Sequence, residues 1–284
     1  MIIDRLYESV AEKGVVCVGL DTDMSYVPDF IKENYNSISD IIFEYNKLVI
    51  ENTKAHSAVY KLQIAYYERL GIEGLKAYSE TLKYLKSLGI ISIADVKRGD
   101  IAATGDIYAK AHFEGDFEAD FITVNPYMGF DTLEPYMPYI NSGKKGIFAL
   151  LVTSNKGADD IEGLKTDIGF VYEHVGEHLK TLAQKSIGDC GYSNIGMVVG
   201  IGSEVYGSKN IRQAYPSNFF LIPGYGAQGA KPGDIKQNLK NGNGGVVNSS
   251  RGILKAPLGK PYNEKNFGEY FTQAVLKMKE DFSN

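Results

Sequence analysis

The chain holds only two cysteines, Cys17 and Cys190, in 284 residues. That is too few for a disulfide framework or a cysteine-rich zinc site, and it points to a reducing, cytoplasmic setting. No apolar run approaches the length of a membrane span. Asp4 and Glu8 stand near the start, where a signal peptide needs apolar residues. Basic residues are spread out rather than clustered, and Lys144-Lys145 is too short a run to attract nucleic acid, the more so at a net charge of −5. Histidine is scarce as well. His56, His112, His174 and His178 fall on segments expected to be helical. His174 and His178, with Glu173 and Glu177 beside them, have a spacing that can bind metal on a helix. On an outer helix the same spacing reads as a solvated face. There is no linker, low-complexity tract or internal repeat, so residues 1–284 read as one domain.

What the chain does have is alternation. Short apolar runs suited to buried strands occupy residues 15–20, 58–64, 90–96, 121–124, 147–152, 195–201, 219–222 and 244–248. Helical spacing separates many of them: Ile38, Ile41, Ile42, Tyr45, Leu48 and Val49; then Leu75, Tyr78, Leu82 and Leu85; then residues 102–112, 167–185 and a final stripe through Phe267, Tyr270, Phe271, Ala274, Val275 and Met278. Twenty tyrosines are most simply packing and interface residues. Eight strand–helix units suit a (β/α)8 TIM barrel, although an open doubly wound sheet alternates in the same way. The placement of polar residues favours the barrel. Asp21, Asp95, Asn125, Ser154, Pro223 and the Ser249-Ser250-Arg251 run each follow a predicted strand, and a barrel gathers such ends on one face.

The densest chemistry lies in Asp95-Val96-Lys97-Arg98-Gly99-Asp100. Strand alternation puts Asp95 and Lys97 on one face. Opposite charges at the end of an apolar strand are costly unless something uses them. Two carboxylates can keep an ammonium charged and apply a strong field to a small substrate. A salt-bridged strand end has the same pattern. Lys61 adds a second cation inside the predicted second strand.

Two glycine-rich stretches, Pro223-Gly224-Tyr225-Gly226-Ala227-Gln228-Gly229-Ala230 and Asn248-Ser249-Ser250-Arg251-Gly252-Ile253, follow the last two strands. Barrels often bind phosphate there through backbone N–H groups, and Arg251 offers a fixed fork of donors. Residues 224–229 also fit a dinucleotide fingerprint, but too late in the chain and without a ribose-binding acid at the expected distance. Residues 224–229 and the long polar stretch 155–169 are candidate lids.

Taken together, Asp95, Lys97 and Asp100 in an Asp-x-Lys-x-x-Asp signature, Lys61, Asp21, and the phosphate-loop residues Gln228 and Arg251 resemble the orotidine 5′-phosphate decarboxylase family over essentially the whole chain. Val124-Asn125-Pro126-Tyr127-Met128-Gly129 and Thr153-Ser154-Asn155 look like its longer bacterial branch. The resemblance implies conversion of orotidine 5′-phosphate (OMP) to UMP and CO2 in pyrimidine synthesis, with no metal and no cofactor. It makes Lys97 the proton donor, sets Asp95 near the departing carboxylate, and gives Lys61 and Asp21 the ribose. Ser154 would meet the pyrimidine, and Gln228 and Arg251 the phosphate. Asp100 and Thr104 would come from the other subunit of a homodimer. Asn125, Pro223 and Ser250 join the substrate-binding candidates. Three other readings remain open: a metal-dependent barrel enzyme acting on sugar phosphates with the same signature, a Schiff-base aldolase using Lys61 or Lys97, and a noncatalytic phosphate-binding barrel.

Overall fold

The computed structural model describes residues 1–201, 211–226 and 231–282. Eight parallel strands close into a barrel: β1 (Val16–Gly19), β2 (Val59–Gln63), β3 (Ser92–Arg98), β4 (Phe121–Val124), β5 (Gly146–Val152), β6 (Ser193–Val199), β7 (Asn218–Ile222) and β8 (Gly245–Ser249). Each strand pairs with the next in sequence, and β8 pairs with β1. The fold is a (β/α)8 TIM barrel. Its strands are covered on both sides, which is why they read as nearly unbroken apolar runs.

The longer helices among the described residues are α1 (Ile2–Lys13), α2 (Ile38–Thr53), α3 (Gly71–Ser87), α4 (Ala102–Phe113), α5 (Val171–Ala183) and α6 (Glu269–Phe282). Helix α2 shows the rule for the outer layer. Ser37 caps it by accepting the Asp40 N–H, and Ile41, Ile42, Tyr45, Val49 and Ile50 bury one stripe. Helix α1 is different. Its N–H groups at Ile2 and Ile3 bind Gly143 O and Asn194 Oδ1, near the starts of β5 and β6, so it lies across the end of the barrel where strands begin. Ile2, Ile3, Leu6 and Val10 fill that face.

Two segments differ from the sequence-based expectation. The helix expected over 167–185 begins at Val171, because Lys165–Thr166 and Gly169–Phe170 pair as a small antiparallel hairpin. Gly169 permits the turn with φ +126°, and the Phe170 N–H is held by Glu173. His56 sits in the turn after α2 rather than in a helix. His178 stacks on Phe130 with ring centroids 3.8 Å apart, and His174 packs on the same ring at 5.5 Å. His174 and Glu177 are exposed, as expected of a solvated outer face, while half-buried His178 packs on Phe130.

A buried cation braces the end of the barrel opposite the strand tips. Arg212 donates to the carbonyls of Asn238, Tyr215, Asn218 and Gly244 at 2.8–3.2 Å and lies 3.5 Å over the Phe220 ring. Burial lowers its pKa to about 10, still charged at neutral pH. Arg212→Leu should therefore cost about 3–4 kcal/mol of stability, since it removes a charged donor from four carbonyls at once, although Gly244 O keeps the Phe220 N–H. Urea unfolding checks this; a loss below 1 kcal/mol would contradict it.

Candidate active site

The strand tips of the barrel surround a cavity of about 540 Å³. Its charged floor begins at β2. Lys61 is buried, and its Nζ lies 3.4 Å from Asp21 Oδ1 and 3.3 Å from Asp95 Oδ2. Asp21 follows β1 and also accepts the Gln63 N–H at 3.3 Å. Asp95, on β3, bridges both lysines: its Oδ1 accepts from Lys97 Nζ at 2.6 Å and from the Thr123 hydroxyl at 2.9 Å. Burial pushes the Asp95 carboxyl up, but Lys61 and Lys97 together with its hydrogen bonds outweigh that and hold it at about 2. Burial likewise works against the Lys61 ammonium, yet Asp21 and Asp95 raise its pKa above the usual lysine value. Both groups therefore stay charged at any working pH. The lysines differ in access: the Lys61 side chain is 5% exposed and that of Lys97 is 46% exposed. Both line the cavity, and Lys97 is the more open of the two.

Lys97 reaches Asp95 by a route that strand alternation did not foresee. The pairing of β3 with β4 shifts register between Ala94 and Arg98, and Lys97 takes a left-handed backbone with φ +46°. For a residue with a Cβ that costs about 1–2 kcal/mol. Thr123 on β4 offsets the cost. Its hydroxyl oxygen accepts the N–H of Val96 at 3.0 Å and of Lys97 at 2.8 Å while its proton goes to Asp95. One buried hydroxyl thus stabilises the bulge and helps fix the acid.

The remaining walls are mixed. Leu150, Val198 and Leu221 give an apolar side, Thr153, Ser154 and Asn155 a polar rim after β5, and Pro223, Tyr225, Ser250 and Arg251 the far end. Glycine is required at 19, where a Cβ would fall 1.9 Å from Ser250 Oγ. Asn248 directs that hydroxyl through a 3.3 Å bond from its amide nitrogen. Beneath it lies Cys17, a buried thiol whose pKa burial pushes up to about 12.

The structure therefore brings Asp21, Lys61, Asp95, Lys97, Ser154, Pro223, Ser250 and Arg251 to one cavity. Asp100, Thr104 and Asn125 are not among its lining residues. The Asp100 carboxylate accepts the N–H of Ile101, and Thr104 is exposed on α4. Asn125 caps the turn after β4 by accepting the Tyr127 N–H at 3.0 Å. Gln228 lies outside the described residues. The sequence reading missed Thr123, Gln63 and Tyr66 as parts of the site, and held Asn248 only as the head of the last loop. Of these, Gln63 alone carried a usable signal: it lies two residues after Lys61 and so shares its face.

A family model described as "Orotidine 5'-phosphate decarboxylase / HUMPS family" matches residues 14–262. A protein named orotidine 5′-phosphate decarboxylase from Clostridium kluyveri is 54% identical over 282 residues, covering 99% of this chain and 97% of that protein. Its namesake from Clostridium novyi is 55% identical over 282 residues, covering 99% of this chain and 98% of its own length. Among solved structures, Leishmania donovani OMP decarboxylase is similar at a TM-score of 0.77 and 31% identity, with 99% of this chain and 96% of that chain covered.

Proposed function

This chain belongs to the orotidine 5′-phosphate decarboxylase / HUMPS family, and we propose that it decarboxylates OMP to UMP using only its own side chains, with Lys97 as the proton donor. One observation carries this reading: an ionised, buried Asp95 held between two ammonium groups at the floor of the cavity, with Lys97 the more accessible of the two. The reaction breaks the bond between C6 and the carboxylate and leaves the electron pair on C6. Lys97 faces that position as a preorganised cation, passes a proton to C6, and regains one from water. Asp95 fixes the Lys97 ammonium and repels a substrate carboxylate placed beside it. Lys61 and Asp21 meet the ribose, Ser154 the pyrimidine, and Arg251 the phosphate together with Gln228. Phosphate contacts far from C6 supply binding energy that orders the site for the chemical step.

Asp100 and Thr104 act across a two-fold dimer in this reading. Support comes from the surface around them. Ile101 and Ile107 on the α4 side are 50% and 63% exposed, and Tyr127 and Met128 after β4 are 74% and 56% exposed. Ile101 adjoins Asp100, the Asn125 carbonyl before Tyr127 lies against Gly99, and exposed apolar side chains of this kind suit burial against a second copy of the chain.

Loss of OMP absorbance with purified protein in excess EDTA is the direct test. The expected result is UMP formation at a rate that EDTA leaves unchanged. Orotidine lacking the phosphate should lose at least about 10³-fold in kcat/KM, as remote binding energy is withdrawn from the transition state. Folded protein that forms no UMP, or that needs a divalent metal, would overturn the assignment.

A further inference from the structure

The turn that follows β5 is held by a residue outside the cavity. Thr153 comes directly after the strand, and its N–H donates to Glu162 Oε2 at 2.8 Å. Its hydroxyl lies 2.8 Å from Glu162 Oε1 and 2.7 Å from Asn155 Oδ1. One carboxylate therefore fixes both the backbone and the side-chain rotamer of Thr153. Glu162 is itself anchored, because its main-chain carbonyl accepts the Tyr172 N–H at 3.0 Å in the first turn of α5. On the other side stands Gly200, just past β6. Its N–H binds Val152 O at 2.8 Å, and a Cβ there would lie 2.5 Å from Ser154 N and 2.7 Å from Thr153 C. The peptide between Thr153 and Ser154 is thus clamped between a carboxylate and a bare glycine backbone. Thr153, Ser154 and Asn155 face the cavity; Glu162 is not part of its lining.

We infer that Glu162 is a positioning residue for base recognition: by holding both donors of Thr153 it presses the Thr153–Ser154 peptide against Gly200 and aims Ser154 at the pyrimidine ring. The inference rests on the substrate assigned above. Small displacements of such a group have large kinetic effects, because a polar contact misplaced by about 1 Å can cost on the order of 100-fold.

Inhibition constants of UMP and of ribose 5-phosphate, which lacks the base, separate this role from general support of the fold. Glu162→Ala should lower kcat/KM for OMP by about 10–100-fold and weaken UMP by a similar factor, with ribose 5-phosphate nearly unaffected. Glu162→Gln should recover part of the loss, since its amide oxygen still accepts one of the two donors. If Glu162→Ala does not fold, Thr153→Val removes only the hydroxyl contact and should shift UMP in the same direction by a smaller factor. Equal weakening of both inhibitors, or no change in either, would overturn the inference while leaving an active wild-type enzyme. A folded wild-type protein inactive on OMP would instead overturn the substrate assignment, and this inference with it.

Discussion

Lys97→Ala should lower kcat by at least about 10⁴-fold, the largest single effect expected in the chain. In the proposed mechanism two contributions would be lost together: electrostatic stabilisation of the developing carbanion, worth about 10²–10³ for one preorganised group, and proton donation, worth about 10²–10⁴. Lys61 should not replace it, because Lys61 is buried and bound to two carboxylates. The substitution should do little to the fold. Alanine adopts the left-handed backbone at φ +46° at about the same cost as lysine, and both N–H bonds to Thr123 are main-chain bonds that survive. Single-turnover measurement, with thermal unfolding as a control, decides the matter. A kcat within tenfold of wild type would remove Lys97 from the chemistry.

Mixing Lys97→Ala with Asp100→Ala should restore activity that neither variant has alone. In the proposed dimer, each homodimeric variant would carry the same lesion in both sites. In a mixed dimer, if Asp100 acts across the interface, one site receives both substitutions and the other receives none. Random exchange makes half the dimers mixed, and each has one intact site of two, so about a quarter of wild-type activity per total site should return. The alternative is plain. If Asp100 served its own barrel, every site would carry one lesion and mixing would restore nothing. The position of Asp100 beside Ile101, bound to the next N–H rather than to Lys97, motivates the experiment. Demonstrated subunit exchange with activity still at the level of the parents would refute action across the interface.

Much of the barrel was legible because parallel strands buried on both faces leave a simple trace, and all eight were found within a few residues of their observed ends. Lys61 and Asp95 were readable for a related reason, as charges inside or at the tip of apolar runs. Helix α1 carried a signal, the spacing of Ile2, Ile3, Leu6 and Val10, that was passed over. Other features had none. Thr123 in Phe121-Ile122-Thr123-Val124 looks like any β-branched strand residue, and its role exists only when β4 lies against the β3 bulge. Nothing local marks Lys97 for a left-handed backbone. Asn125 looked like a site residue because it ends a strand, yet the free N–H of the following turn claims its side chain. The hairpin before α5 is too short to leave a period in the sequence.

The shared hydroxyl of Thr123 also constrains how this protein can change over generations. Backbone shape at Lys97 and one hydrogen bond to Asp95 are inherited through one atom, so a substitution at position 123 touches both together. Serine keeps the oxygen and preserves both bonds; valine, close in volume, loses both at once and leaves Asp95 to its lysines. A lineage drifting toward a different chemistry on this scaffold has freer room at Leu150, Val198 and Leu221, whose side chains shape the cavity without carrying the hydrogen bonds of the charged floor.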